Sequence, residues 1–212
     1  MAPRARVNAW IAALLAATLF AAIAWSIAVD SWTVAMDEAC VRWLHTLSTG
    51  DATTAMTWVS RLHSPGMIAV WSVVLGIALA ARREKQWLVT VALAVVGGML
   101  LNDALKLAFH RARPHFDDAL DVLGSYSFPS GHTADSTVFY GALAAYLFAR
   151  FSQRMARMAI VAGAILAIGT VAFSRVYLGA HYPTDVIAAT CSSTAWLALC
   201  LSRRSAAPTN PA

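Results

Sequence analysis

Trp87–Pro114 reads W-L-V-T-V-A-L-A-V-V-G-G-M-L-L-N-D-A-L-K-L-A-F-H-R-A-R-P, and up to Phe109 it is apolar and long enough to enter a bilayer. A helix of roughly 20 residues crosses some 30 Å of hydrocarbon. The stretch ends in cations, Lys106, Arg111 and Arg113. A lysine at the end of an apolar span is costly in lipid, so it either snorkels to the interface or serves chemistry there. Lys106 and Arg113 lie seven apart, two helical turns. On a helix that continues to the residue before Pro114, both cations project from nearly one face.

Five further apolar stretches flank this one: Val7 to Val29, Pro65 to Ala81, Gly131 to Phe151, Met158 to Phe173 and Pro183 to Leu201. Several are rich in Ala, Val and Leu with scattered Gly, the small residues that let helices approach closely in lipid. The whole chain is 59% apolar and 13% charged, with a mean hydropathy of +0.60. An ordinary soluble domain is about 25% charged. The expected fold is therefore all-α, a six-span transmembrane bundle forming a single domain over residues 1–212, with a motif core over about 100–190 and a disordered tail over about 205–212. The first stretch also resembles a signal peptide, with Arg4 and Arg6 before it and Ser26 and Ala28 near its end. Its apolar run exceeds the roughly 7–15 residues of such a core, which favours a retained span.

Arg4 and Arg6, then Arg82, Arg83 and Lys85, then Arg150, Arg154 and Arg157, then Arg203 and Arg204 all fall on one side of such a bundle. The positive-inside rule makes that side the cytoplasm, with both termini in it. Asp37, Glu38, Asp51, Asp117, Asp118 and Asp121 fall on the other side. The net charge of +5 follows from this topology, and no basic stripe marks a nucleic-acid partner. Cys191 and Cys200 read as packing residues of the last span, while Cys40 stands outside, so no internal disulfide is implied. The outer segment Asp30 to Ser64 is too polar to span, yet carries Trp32, Trp43 and Trp58, and reads as one or two short interfacial helices or as an ordered cap.

Two more segments join Lys106–Pro114 on the outer side: P-S-G-H at Pro129–His132 and S-R-V-Y-L-G-A-H-Y-P-T-D at Ser174–Asp185. Ser130 is a natural N-cap, and the free N–H groups behind it, with Gly131 allowing close approach, make an anion site beside His132. A histidine there is otherwise a hydrogen-bonded interfacial residue. Arg175 closes the fifth span and offers a bidentate fork for phosphate oxygens. His181 and Asp185, four apart around Pro183 at a helix start, meet on one face. A carboxylate on one ring nitrogen fixes the tautomer and frees the other nitrogen to attack.

Together the segments fit K-x6-R-P, P-S-G-H and S-R-x5-H-x3-D, the signature of the type 2 phosphatidic acid phosphatase family, which also includes the vanadium haloperoxidases; the chain resembles that family from the third span to the sixth. The resemblance implies a membrane lipid phosphatase with His181 as nucleophile, Asp185 orienting it and His132 as general acid, then base. It further implies that Lys106, Arg113 and Arg175, with Ser130 and the Gly131 amide, hold the phosphoryl oxygens, and that neither metal nor other cofactor is needed. The implied partners are the bilayer and a lipid phosphate or diphosphate, of which undecaprenyl diphosphate is the first choice over phosphatidic acid, phosphatidylglycerol phosphate and lipid A phosphates. The site would face the outside of a bacterial inner membrane. Two rivals are a vanadate-dependent haloperoxidase, disfavoured by the hydropathy, and a non-catalytic lipid-binding or transport relative, disfavoured because His132, His181 and Asp185 are all present.

Several neighbours stay open. Arg111 and His110 either enlarge the phosphate pocket or, the favoured reading, meet lipid headgroups. Asp103, near Lys106, is placed to hold that lysine, and Asp135, three after His132, to tune it. Asp117, Asp118 and Asp121 spell D-D-x-x-D, a magnesium and diphosphate motif elsewhere, read here as a solvated loop.

Overall fold

Every apolar stretch of the sequence is helical in the computed structural model, which describes residues 3–116 and 124–203. Asp117, Asp118, Asp121, Arg204 and the tail after it lie outside the described residues. Eight helices and no strand occur among the described residues: α1 Pro3–Ala28, α2 Trp32–Thr46, α3 Gly50–Leu62, α4 Pro65–Ala81, α5 Lys85–Phe109, α6 Gly131–Arg150, α7 Arg154–Tyr177 and α8 Pro183–Ser202.

Six spans were expected; length and apolarity alone give four, within α1, α5, α7 and α8, or five if α3 and α4, bent by 51° across a short break, count as one. The two shortfalls have physical reasons. At 17 residues α4 is shorter than the roughly 20 a straight crossing needs. The first turns of α6 carry His132, Thr133, Asp135, Ser136 and Thr137, polar because they face the inside of the bundle; four of them are buried. The lipid-compatible surface lies on the outer helices, where Leu14, Leu15, Trp25, Ile77, Leu100, Leu107, Ile165 and Leu166 are all exposed. The chain is a multi-pass membrane protein.

α6 sits at the centre, packed against α4, α5, α7 and α8, and α1 runs along α8. One core joins α4, α5, α6 and α8 through Leu79, Val91, Val95, Val138, Ala142 and Leu197. The close packing expected of small residues is seen at Gly97: a Cβ there would stand 2.3 Å from the Trp196 ring, whose indole N–H donates to the Leu93 and Ala94 carbonyls at 3.2 and 3.1 Å. A second cluster sets Phe20 and Ala24 of α1 around the fully buried Phe128, just ahead of the P-S-G-H segment. α2 and α3 cap the end where α7 stops and α8 starts. Val41 and Leu44 pack on Val176 and Val186, while Trp32, Trp43 and Trp58 face outward. The segment is two short helices, and both readings of it, interfacial helices and ordered cap, are compatible with this placement.

Candidate active site

The C-terminal ends of α5 and α7 and the N-terminal ends of α6 and α8 meet at one end of the bundle, which brings the three motifs together. Lys106, Arg113, Gly131, His132 and His181 line one cavity of about 370 Å³. Ser130, Arg175 and Asp185 are fully buried and stand behind that lining.

His181 hangs on a turn that the sequence specifies. Gly179 ends α7 in the left-handed region, with φ +66°, and its N–H donates to the Val176 carbonyl at 3.0 Å. The Ala180 and His181 amides both donate to the Arg175 carbonyl, at 3.0 and 3.2 Å. This left-handed stop suits glycine, and here a Cβ would also press on the Phe116 ring at 3.0 Å. Pro183 then opens α8 and sets Asp185 in its first turn.

Arg113 Nη1 donates to His181 Nε2 at 3.1 Å, so Nε2 carries the lone pair and the ring proton sits on Nδ1. Asp185 Oδ2 lies 3.5 Å from Nδ1, too long for a good hydrogen bond but on the side the orienting role requires. Burial drives the His181 pKa down to about 4; Asp185 pulls it back up, and the charges of Arg113 and Arg175 push it down again. The ring is therefore neutral near pH 7.

Asp185 is held more firmly by other donors. Its Oδ2 accepts from the Ser127 hydroxyl and from the Tyr182 amide at 2.9 Å, and its Oδ1 accepts from Arg111 Nη1 at 2.6 Å. Arg111 Nη2 reaches on to Asp37 Oδ2 at 2.8 Å, and Asp37 also takes the Thr184 amide at 3.0 Å and its hydroxyl. The guanidinium lies 4.2 Å from the Tyr182 ring centre. Although burial alone would lower the Arg111 pKa, Asp185 and Asp37 raise it above the ordinary value. Arg111 is thus not among the residues lining the cavity; it ties the Asp185 carboxylate to α2. Asp37, Ser127 and Thr184 were not anticipated, since nothing local marks them.

Three local expectations need correcting. α5 does not continue to Ala112: it stops at Phe109, because His110 takes the left-handed conformation, φ 49°, with its N–H on the Lys106 carbonyl. Arg113 reaches the site from the extended segment beyond, held by the Ser125 carbonyl at 2.7 Å and the Ala180 carbonyl at 2.7 Å. Ser130 has the extended backbone of an N-cap, but its hydroxyl makes no cap bond and accepts from Thr133 Oγ1 at 3.1 Å. Lys106 Nζ donates to the Tyr126 carbonyl at 2.7 Å, and among the described residues no ion pair joins it to Asp103. Arg175 Nη1 is bonded to the Ser60 hydroxyl of α3.

This arrangement presents a neutral imidazole, two cations and a helix start around one cavity, with a second histidine beside it. Comparisons with known proteins point the same way. The family model described as the PAP2 superfamily matches residues 87–207, more than half of the chain. Phosphatidylglycerophosphatase B of Bacillus subtilis is 33% identical over 135 residues, 62% of this chain and 65% of its own length. Lipid A 1-phosphatase of Rhizobium etli is 41% identical over 103 residues, 44% of this chain and 40% of its own length. The matched stretch thus spans less than two thirds of these relatives. The crystal structure of a transmembrane PAP2-type phosphatidylglycerolphosphate phosphatase from Bacillus subtilis superposes with a TM-score of 0.79 at 26% identity, covering 89% of this chain and 94% of that one. Aquifex aeolicus LpxE shares the fold, with a TM-score of 0.63 at 22% identity, covering 78% of this chain and 94% of that one.

Proposed function

Because the chain belongs to the PAP2 superfamily, we propose that it is a lipid phosphatase that cleaves a phosphate ester of a membrane lipid through a phosphohistidine on His181. The observation that carries this reading is His181 with its Nε2 lone pair turned toward Arg113, lining one cavity with Lys106, Arg113, Gly131 and His132.

Once the bound phosphate monoanion has passed its proton to His132, His181 Nε2 attacks phosphorus in line, and the bond from phosphorus to the leaving oxygen breaks as protonated His132 returns a proton to that oxygen. His132 then takes a proton from water, which attacks phosphorus and returns His181 to its starting form. Lys106 and Arg113, with Arg175 behind them, the Gly131 amide and the Ser130 turn, meet the charge that builds on the three equatorial oxygens. Asp185 keeps the attacking tautomer, and Arg111 keeps Asp185 in place. The substrate is a lipid phosphate or diphosphate whose chains stay in the bilayer. The names of the relatives add weight to phosphatidylglycerol phosphate and lipid A beside undecaprenyl diphosphate and phosphatidic acid. On this reading the chain is one domain of six spans in a bacterial inner membrane, with α3–α4 and α6 completing the count, both termini in the cytoplasm and the site outside.

The test is phosphate release by detergent-purified protein with EDTA present, from these four lipids, beside the His181→Ala variant. Release that the variant loses, together with a labelled, acid-labile phosphoenzyme on rapid quench, is the expected result. Release that survives His181→Ala overturns the mechanism.

A further inference from the structure

The mechanism leaves two buried acceptors unused. Asn102 Oδ1 and Asp135 Oδ1 have no hydrogen-bond partner, their residues are only 4% and 3% exposed, and both line the cavity that holds His132 and His181. Folded proteins keep few such atoms, because a buried acceptor without a donor is costly. An acceptor pair kept inside a binding cavity is a pair waiting for a donor.

Their position says whose donor. Asn102 stands one turn before Lys106 on α5, and Asp135 one turn after Gly131 on α6. The C-terminal end of α5 and the N-terminal start of α6 share the site, so both residues leave their helices about 6 Å of helix rise further into the bundle than Lys106 and Gly131. The Asn102 side chain reaches back along the cavity toward the phosphate level: a Cβ on Gly131 would lie 3.5 Å from Asn102 Nδ2 and 3.8 Å from Lys106 Cε. In-line attack by His181 puts the leaving oxygen on the opposite side of phosphorus, toward His132. Asp135, three residues on from His132, shares its helix face. With the leaving oxygen on the His132 side, the carbon next to it enters the part of the cavity that Asn102 and Asp135 also line.

We propose that Asn102 and Asp135 form a leaving-group subsite that accepts a hydrogen bond from a hydroxyl or N–H of the departing alcohol, so that the enzyme selects phosphate esters of polyols, glycerol or sugar, over those of diacylglycerol or polyprenol. The inference rests on the phosphatase reading above. A donor on the carbon beside the ester satisfies the orphan oxygens; an alcohol without one leaves them buried and unpaired, which is how polar pockets discriminate strongly. A diphosphate fares worst, since its leaving group is an anion placed against Asp135 and against Asp103 at the cavity wall.

The experiment compares kcat/KM, in mixed micelles with EDTA, for phosphatidylglycerol phosphate and lipid A 1-phosphate, which carry a donor beside the ester, and for phosphatidic acid and undecaprenyl diphosphate, which do not. The wild type is expected to prefer at least one donor-bearing lipid by about tenfold or more; which one it prefers tells glycerol from sugar. Asp135→Leu and Asn102→Leu are each expected to shrink that preference by about tenfold. Asp135→Leu is also expected to raise the thermal midpoint, by about 2 °C or more, because a costly orphan oxygen is gone; a merely structural aspartate would lower it. Equal wild-type rates on all four lipids, or variants that lose all four activities in proportion, overturn the subsite while leaving the phosphatase reading intact. Activity that survives His181→Ala, or no release from any lipid, overturns that reading and the subsite with it.

Discussion

On the proposed mechanism Arg111 acts from outside the cavity, through Asp185. It bridges Asp37 and Asp185 with side chains 10%, 2% and 0% exposed, so truncating it leaves two buried carboxylates uncompensated. Arg111→Ala is expected to cost about 3–5 kcal/mol, read as a lowered unfolding midpoint in detergent. Arg111→Lys keeps the charge but not the fork; it should fold and lose about tenfold or more in kcat with little change in KM, since Asp185 then drifts from His181. His181 itself makes a pH prediction. Its pKa is held near 4 against an ordinary 6.5, so between those values the unfolded chain binds more protons than the native one. Stability therefore falls as pH drops through 6.5 toward 4, with the full cost reached below 4. A ring-nitrogen NMR titration should find the His181 midpoint well below 6; a midpoint near 6.5 refutes the burial argument. Lys106, His132, Arg175 and Asp185 were legible in the sequence because chain spacing sets them at helix ends, with His181 just before one, whereas Arg113 was expected on α5 and stands on the segment beyond it. Asp37 and Ser60 were not, because their partners lie 74 and 115 positions away and only the folded bundle brings them near.

Helix ends decide where those side chains go, and two glycines make contrasting tests. At Gly179 both the left-handed backbone and Phe116 at 3.0 Å stand against any Cβ. Gly179→Ala should lower stability by about 1–3 kcal/mol and take activity with it, since His181 hangs from that turn. At Gly131 a Cβ meets only ordinary contacts at 3.5 and 3.8 Å; Gly131→Ala should fold normally and raise KM, because the methyl intrudes on the phosphate space. Unfolding curves beside kinetics separate the two outcomes. The apolar stretches were legible as helices, since hydropathy and length speak for themselves. The stop of α5 was not: Pro114 signals a break, but the left-handed His110 four residues earlier is a choice that tertiary packing makes. The polar face of α6 hides its identity for the same reason, being set by what the helix lines.

For the molecule as a whole, charge placement assigns an outside and an inside that accessibility can check. With Cys40→Ser as background, Ser48→Cys in the loop between α2 and α3 should react with a membrane-impermeant thiol reagent in spheroplasts, and Arg83→Cys between α4 and α5 only after lysis; the reverse pattern inverts the topology. The all-helical, multi-pass character was readable from hydropathy because lipid demands long apolar helices, while length and apolarity alone give four or five spans against the six expected. How the outer helices dock was not, because amphipathic stretches such as α2 and α3 carry no address. Yet Asp37 on α2 and Ser60 on α3 reach Arg111 and Arg175 in the motif segments. The cap is therefore not an interchangeable lid. A chimera that grafts a relative's outer segment onto this bundle inherits a working centre only if the graft brings its own matching acid and hydroxyl, so the two halves of the chain are bound to change together.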